Sequence, residues 1–177
     1  MSKIIQDRVV VEDDWTVLRL AETDSVESVV IPAGRVIVPL KVWLARAELK
    51  ERNDLGVWFA SDERPEDLQA VLQQNPQQFA LIAVDFPKFT DGRGYSIAYN
   101  LRTRFGYKGQ LRAIGDVLRD QLFYMQRVGF NAFAVRADKN IDDALKGLTD
   151  FSEKYQTSWD EKTPLFRRVH RPSVVPQ

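Results

Sequence analysis

The chain of 177 residues contains no cysteine. That excludes disulfides, thiolate nucleophiles, Cys-ligated zinc and Cys-held iron–sulfur clusters together. It fits a reducing compartment, and a cytoplasmic location is expected. Histidine is nearly absent too: the single one, His170, lies in a tail with Pro164, Pro172 and Pro176. A Ser–His triad or a His-based metal site is disfavoured on that count. No stretch of eighteen apolar residues occurs, so no membrane-spanning helix is predicted. The opening MSKIIQDRVVVEDD is charged too early for a secretory signal. Net charge is zero, 25 basic against 25 acidic groups, which argues against a general nucleic-acid binder. Two nucleotide motifs are also missing. There is no GK[ST], and no glycine fingerprint directly after a predicted strand, so classical NAD or FAD binding is disfavoured.

What remains is a chain long enough for one real core, with 44% hydrophobic residues. Its charge is unevenly spread. Residues 1–84 hold nine basic and fourteen acidic groups, whereas residues 85–127 hold eight and four. The second stretch is therefore locally positive, which suits a small anion or internal pairing equally well.

Residues 4–20 read as two short strands around a polar turn at Glu12-Asp13-Asp14, and Ser25 to Val38 as a β-rich passage broken at Pro32-Ala33-Gly34. Residues 1–38 are thus expected to form an antiparallel appendage or lid. Pro39 starts a helix through about Lys50. From Gly56 a rhythm begins. GVWFA, FALIAV, LRAI and AFAV read as four strands. Between them the spacing predicts helices over 65–73, 94–105 and 117–128, with a last one capped by Asn140. Residues 39–159 form this α/β core, and 160–177 a loose tail. Such alternation predicts βαβ units and about four parallel strands. Either a Rossmann-like open sheet or a half (β/α)-barrel fits. The half-barrel has open edges, so a homodimer is expected with it.

Ligands of such sheets bind beyond the carboxyl ends of the strands. That edge is predicted to carry Ser61, Asp62, Asp85, Lys88, Asp91, Arg93, Gly115, Asp116, Arg136 and Asp138. Gly92-Arg93-Gly94 opens a helix. Two glycines, a helix N-terminus and a guanidinium fork suit phosphate, sulfate, sulfite or carboxylate. The anion-binding candidates are Lys88, Asp91, Gly92, Arg93, Gly94, Arg112 and Arg119. Alternatively Arg93 pairs with Asp85, Asp91 or Asp116. Arg112 lies within a strand, and its head must reach a carboxylate such as Asp85 or Asp116 unless the strand has an open face. Asp116 reads as a helix N-cap with Arg119 as its mate. Asp85 and Asp116 are the candidate acid–base groups. An FMN-like phosphate could still bind at helix N-termini.

At DFPKFTDGRGYS, GYKGQLRAIGDVLRDQL and RVGFNAF the chain resembles the bacterial domain of unknown function 934 family. Its members carry the label of probable oxidoreductase of sulfite reduction, with sulfate-assimilation genes as neighbours. The resemblance implies a role in that pathway, with sulfite reductase or another sulfate-assimilation enzyme as partner. It brings no catalytic residues with it. Without cysteine or a dinucleotide fingerprint, electron transfer would need a flavin or a partner's cofactor. Two readings therefore stand. One is an accessory protein binding a pathway enzyme or an anionic sulfur metabolite. The other is a small oxidoreductase or sulfonucleotide-acting enzyme.

Overall fold

A computed structural model describes residues 2–168. Eight strands form one sheet: β1 (Ser2–Gln6), β2 (Val9–Asp13), β3 (Thr16–Val17), β4 (Val36–Pro39), β5 (Leu55–Phe59), β6 (Leu81–Phe86), β7 (Gln110–Gly115) and β8 (Ala132–Phe133). The longer helices are α1 (Leu40–Ala45), α2 (Gln69–Gln74), α3 (Arg93–Thr103), α4 (Arg119–Val128) and α5 (Ile141–Lys146), with a short α6 (Leu165–Arg168). None is long and apolar enough to cross a membrane.

The strand order across the sheet is β2-β1-β8-β7-β6-β5-β4-β3. From β3 to β8 every pairing is parallel, and only β1 pairs antiparallel, with both β2 and β8. The expectation of about four parallel strands is corrected upward. FALIAV, GVWFA, LRAI and AFAV do become β6, β5, β7 and β8. The first 38 residues do not stand apart as a β appendage, because they supply the rest. Val36, Ile37 and Val38 are fully buried in β4, in the parallel series itself. A hairpin turn at Asp7-Arg8 joins β1 to β2, and the polar stretch Glu12-Asp13-Asp14 lies where β2 ends and the chain turns into β3.

Strands β3 to β8 run in chain order with no reversal. A doubly wound Rossmann-like sheet requires such a reversal. Right-handed crossovers that always step the same way put every helix on one face. Accordingly Trp43, Leu72, Leu101, Met125 and Ala144, one from each of α1 to α5 in turn, share one core with the outward residues Val57, Val84 and Ala113. The inward residues Ile37, Leu81, Ala83 and Ile114 form a second cluster with Trp15, Val17, Trp58 and Ala134. No helix belongs to that inner cluster, yet Ile37, Leu81 and Ala83 have no exposed surface.

Curling of the sheet explains the burial. Strands β2 and β3 lie at opposite ends of the strand order, yet only Asp14 and Trp15 join them. Three chain steps reach at most about 11 Å. The two ends of the sheet therefore approach each other at this corner, giving a strongly coiled half-barrel. Beyond β3 the Trp58 indole N–H of β5 donates to the Leu18 carbonyl at 3.0 Å, tying the chain after β3 to the inner layer. The chain's own residues 13–18 thus run between the two ends of the sheet.

Segment 160–177 begins attached: Asp160 pairs with Arg127 of α4 and with Lys154. Residues 169–177, including His170, lie outside the described residues.

Candidate functional site

At the carboxyl edge, β6 delivers Asp85, β7 ends at Gly115 and β8 leads on to Arg136. With Arg19 and Asp116 they border an open cavity of about 570 Å³. Asp85 accepts a hydrogen bond from Arg19 Nη2 at 2.6 Å. Asp116 accepts from Arg136 Nη1 at 2.7 Å and from the Phe89 N–H at 2.8 Å. Gly115 makes the geometry feasible. Its φ is +93°, and a Cβ there would lie 2.4 Å from the Phe86 carbonyl oxygen and 2.7 Å from Asp85 Oδ1. The Asp116 N–H then donates to that same carbonyl at 2.7 Å, which turns the chain and aims Asp116 into the loop after β6.

Arg19 was hidden in the sequence. WTVLRL reads as an appendage strand, so its arginine had no apparent reason to face a strand end 66 residues away. The parallel pairing of β3 with β4 brings it there, and Trp58 holds it with the guanidinium carbon 5.2 Å from the indole centroid. Its side chain is 50% exposed. Arg136 was visible as a strand-end residue, but its partner Asp116 was expected to cap a helix. Leu118 precedes α4 instead, and the Gln121 side chain accepts its N–H at 2.9 Å. Asp116 is thereby free for Arg136.

The anion-binding candidates separate. Arg93 forms a fork on Asp91, through Nε at 3.0 Å and Nη2 at 2.7 Å, and its backbone N–H donates to the same carboxylate. This pair, with help from Ser61, holds the Asp91 carboxyl well below the usual carboxylate range. A Cβ at Gly92 would make only an ordinary contact, 3.8 Å from Tyr95 Cδ2, but Gly94 is a packing glycine: a Cβ would sit 2.7 Å from Phe86 Cζ. Lys88 is exposed on the same loop and has no ion pair among the described residues. Arg119 does not border the edge cavity and does not pair with Asp116. It bridges α4 to Asp143 and Asp150. Arg112 does not reach it either. Its head points to the amino end of the strands and meets Asp13, with Nη1 2.9 and 3.0 Å from the two carboxylate oxygens. The expected partners Asp85 and Asp116 are out of its reach because they lie at the other end of the inner layer. Burial pushes the Arg112 guanidinium pKa down, against the pull of Asp13.

The edge is therefore a row of arginine–aspartate pairs, not a bare cationic patch. Arg136 also forks onto Asp138, through Nε at 2.6 Å and Nη2 at 3.0 Å. This lowers the Asp138 carboxyl from 3.8 to about 2. A depressed folded pKa makes the pair's contribution present above the unfolded value and lost as pH falls through the folded one. Between pH 3.8 and about 2 the pair loosens. Carbon-detected NMR titration should place the Asp138 midpoint near 2, moving back toward 3.8 in Arg136→Gln. An unchanged midpoint in that variant would dissociate the shift from Arg136.

Among the described residues no group of three or more His, Cys, Asp or Glu is arranged to hold a metal ion. The edge offers guanidinium donors and carboxylate acceptors. Such an edge suits a small polar ligand that offers acceptors to Arg19 or displaces a carboxylate from it. Asp116 is held by two donors and is poorly placed to move a proton. Among the described residues Asp85 has one side-chain partner, Arg19, and it sits at the cavity wall.

No curated protein and no solved structure matches the chain. A family model described as "Bacterial protein of unknown function (DUF934)" matches residues 56–166, from β5 to the start of α6. The match takes in Asp85, Gly115, Asp116 and Arg136 but not Arg19. It spans more than half of the sequence, and the chain belongs to that family.

Proposed function

We propose that the protein is an accessory of assimilatory sulfate and sulfite reduction that holds a small oxoanion or sulfonucleotide at the carboxyl edge. It does so alone or while bound to a pathway enzyme such as sulfite reductase. The sulfur context comes from the family resemblance. The site comes from Arg19. Its guanidinium meets Asp85 through one nitrogen only, is half exposed, and borders the cavity. Arg93 and Arg136, by contrast, are each forked onto an aspartate. An incoming anion competes for Arg19 against one hydrogen bond, and for the others against two or more. Fork geometry on an oxoanion then gives both affinity and orientation.

The test is a thermal-shift panel with sulfate, sulfite, phosphate, adenylyl sulfate, phosphoadenylyl sulfate and FMN. A ligand at about a hundred times its dissociation constant adds roughly 2.7 kcal/mol. For a chain of this size that is a rise of roughly 5–10 °C. A selective rise is expected for one sulfur oxoanion or sulfonucleotide, lost in Arg19→Ala and kept in Arg93→Ala. A flat panel, or a rise that survives Arg19→Ala, sinks the ligand half of the proposal. Failure to retain sulfite reductase or any other pathway enzyme in a pull-down sinks the partner half. A shift with FMN alone would transfer the reading to a flavin enzyme.

A further inference from the structure

We infer that the protein has a second binding site, at the amino edge of the sheet, for a planar heteroaromatic ring of the nucleobase class. A cavity of about 470 Å³ lies there, between the β1–β2 turn, the start of β8 and residues 154–160. Phe130, Phe133 and Trp159 give it apolar walls, and Asp7, Arg8 and Asn131 bring polar groups to it. That size, with aromatic walls and a few placed polar atoms, is typical of small-molecule sites.

Two independent features single it out. The first is Trp159. Its ring sits 5.1 Å from the guanidinium carbon of Arg102. Arg102 is itself locked, donating to the carbonyls of Gly129 at 2.9 Å, Tyr107 at 2.8 Å and Gly109 at 2.9 Å. The adjoining Asp160 is tied to Arg127 and Lys154. A large aromatic ring is thus held from one side and yet left 36% exposed at a cavity wall. A preordered ring loses little freedom when another ring stacks on it.

The second is backbone strain. Asp7 and Arg8 have φ of 49° and 67°, both left-handed and neither glycine. A two-residue hairpin of this kind prefers Asn-Gly. Here the strained pair places two charged side chains at the cavity. Asn131 donates to Asp7 Oδ1 at 3.0 Å, and Arg8 Nε donates to Gln126 Oε1 at 3.0 Å. The terminal nitrogens of Arg8 have no partner among the described residues. Backbone strain retained at residues that border a cavity points to function.

The chemistry narrows the ligand. The exposed indole of Trp159, backed by the buried Phe130 and Phe133, selects a ring. Asp7 and Asp160 balance Arg8 and Lys154 around the rim, so a neutral ring with donors and acceptors on its edge fits better than an anion. This site is separate from the carboxyl edge and does not depend on the function proposed there.

Saturation-transfer NMR on the full chain with adenosine, and with ribose as the ring-free control, tests it. Transfer is expected to the base protons, saturable, and not to ribose alone. Trp159→Ala should weaken binding by at least roughly tenfold, the scale of one lost aromatic stack. Arg19→Ala, at the other edge, should leave it unchanged. Gln126→Trp fills the cavity from its rim and should abolish transfer, which decides the matter if Trp159→Ala does not fold. Absence of transfer at millimolar adenosine, equal transfer to ribose, or full binding in Gln126→Trp would overturn the inference.

Discussion

Asp13→Ala is expected to lower the unfolding free energy by about 3–5 kcal/mol. Its partner Arg112 is 1% exposed in the inner layer of the sheet. Two hydrogen bonds from Nη1 to Asp13 satisfy part of that cation, while Nε is buried without a partner. Removing Asp13 leaves a charge enclosed by Ala83, Ile114 and the curl of the sheet. The desolvation cost of Arg112 then stands uncompensated. Replacing both partners by apolar residues, Asp13→Leu with Arg112→Met, removes the charge along with its partner, so most of the stability should return. Urea denaturation of the two single variants and the double variant supplies the cycle. For a chain of this length the thermal unfolding midpoint of Asp13→Ala should fall by roughly 6–20 °C. A cost below about 1 kcal/mol would mean that the pair is solvated like a surface pair, and that the inner layer is wet.

Gly115→Ala should cost about 2–5 kcal/mol, adding left-handed strain to overpacking. The new methyl would lie 2.4 Å from the Phe86 carbonyl oxygen, which already accepts the Asp116 N–H. Backbone cannot swing aside as a side chain end can. The turn must open, and with it go the placement of Asp116 against Arg136 and of Asp85 against Arg19. Any ligand response at the carboxyl edge should disappear together with the stability. Gly34→Ala is the control. Its φ is +88°, but nothing lies within 4 Å of the added Cβ, so only the left-handed cost of about 1–2 kcal/mol remains. Equal losses in the two variants would show that the backbone angle, and not crowding at Phe86, governs Gly115.

Local signals in the chain were dependable. Asn140 caps α5 as its position suggests, accepting from the N–H groups of Asp142 at 2.9 Å and Asp143 at 3.0 Å. Gly129 ends α4 with φ +120°. Arg93 lies beside Asp91, two residues away, and their pairing was among the alternatives the sequence offered. In each case the partner is within a few residues, so backbone geometry alone brings the groups together.

Distant partners were a different matter. Arg112 was expected to meet a carboxylate, and it does, but Asp13 is 99 residues away and reads locally as a turn. Asp116 and Arg119 looked like a cap and its mate, whereas tertiary contacts give Asp116 to Arg136 and Arg119 to Asp143 and Asp150. Arg19 was missed because its approach to Asp85 follows from a two-residue strand, β3, too short to leave a period of its own.

By itself, the sequence determined the alternation of strands and helices, the parallel series from β5 to β8, the absence of any thiol, and the family. Those properties are written in composition and in spacings shorter than one element. Only the tertiary structure decided that the first 38 residues join both ends of the sheet, that the strands run without reversal, and that the sheet curls on itself. Strand order and curl depend on pairings between segments far apart in the chain. Loop closure makes such pairings conditional on the whole fold, and no local pattern encodes which edge a strand will find.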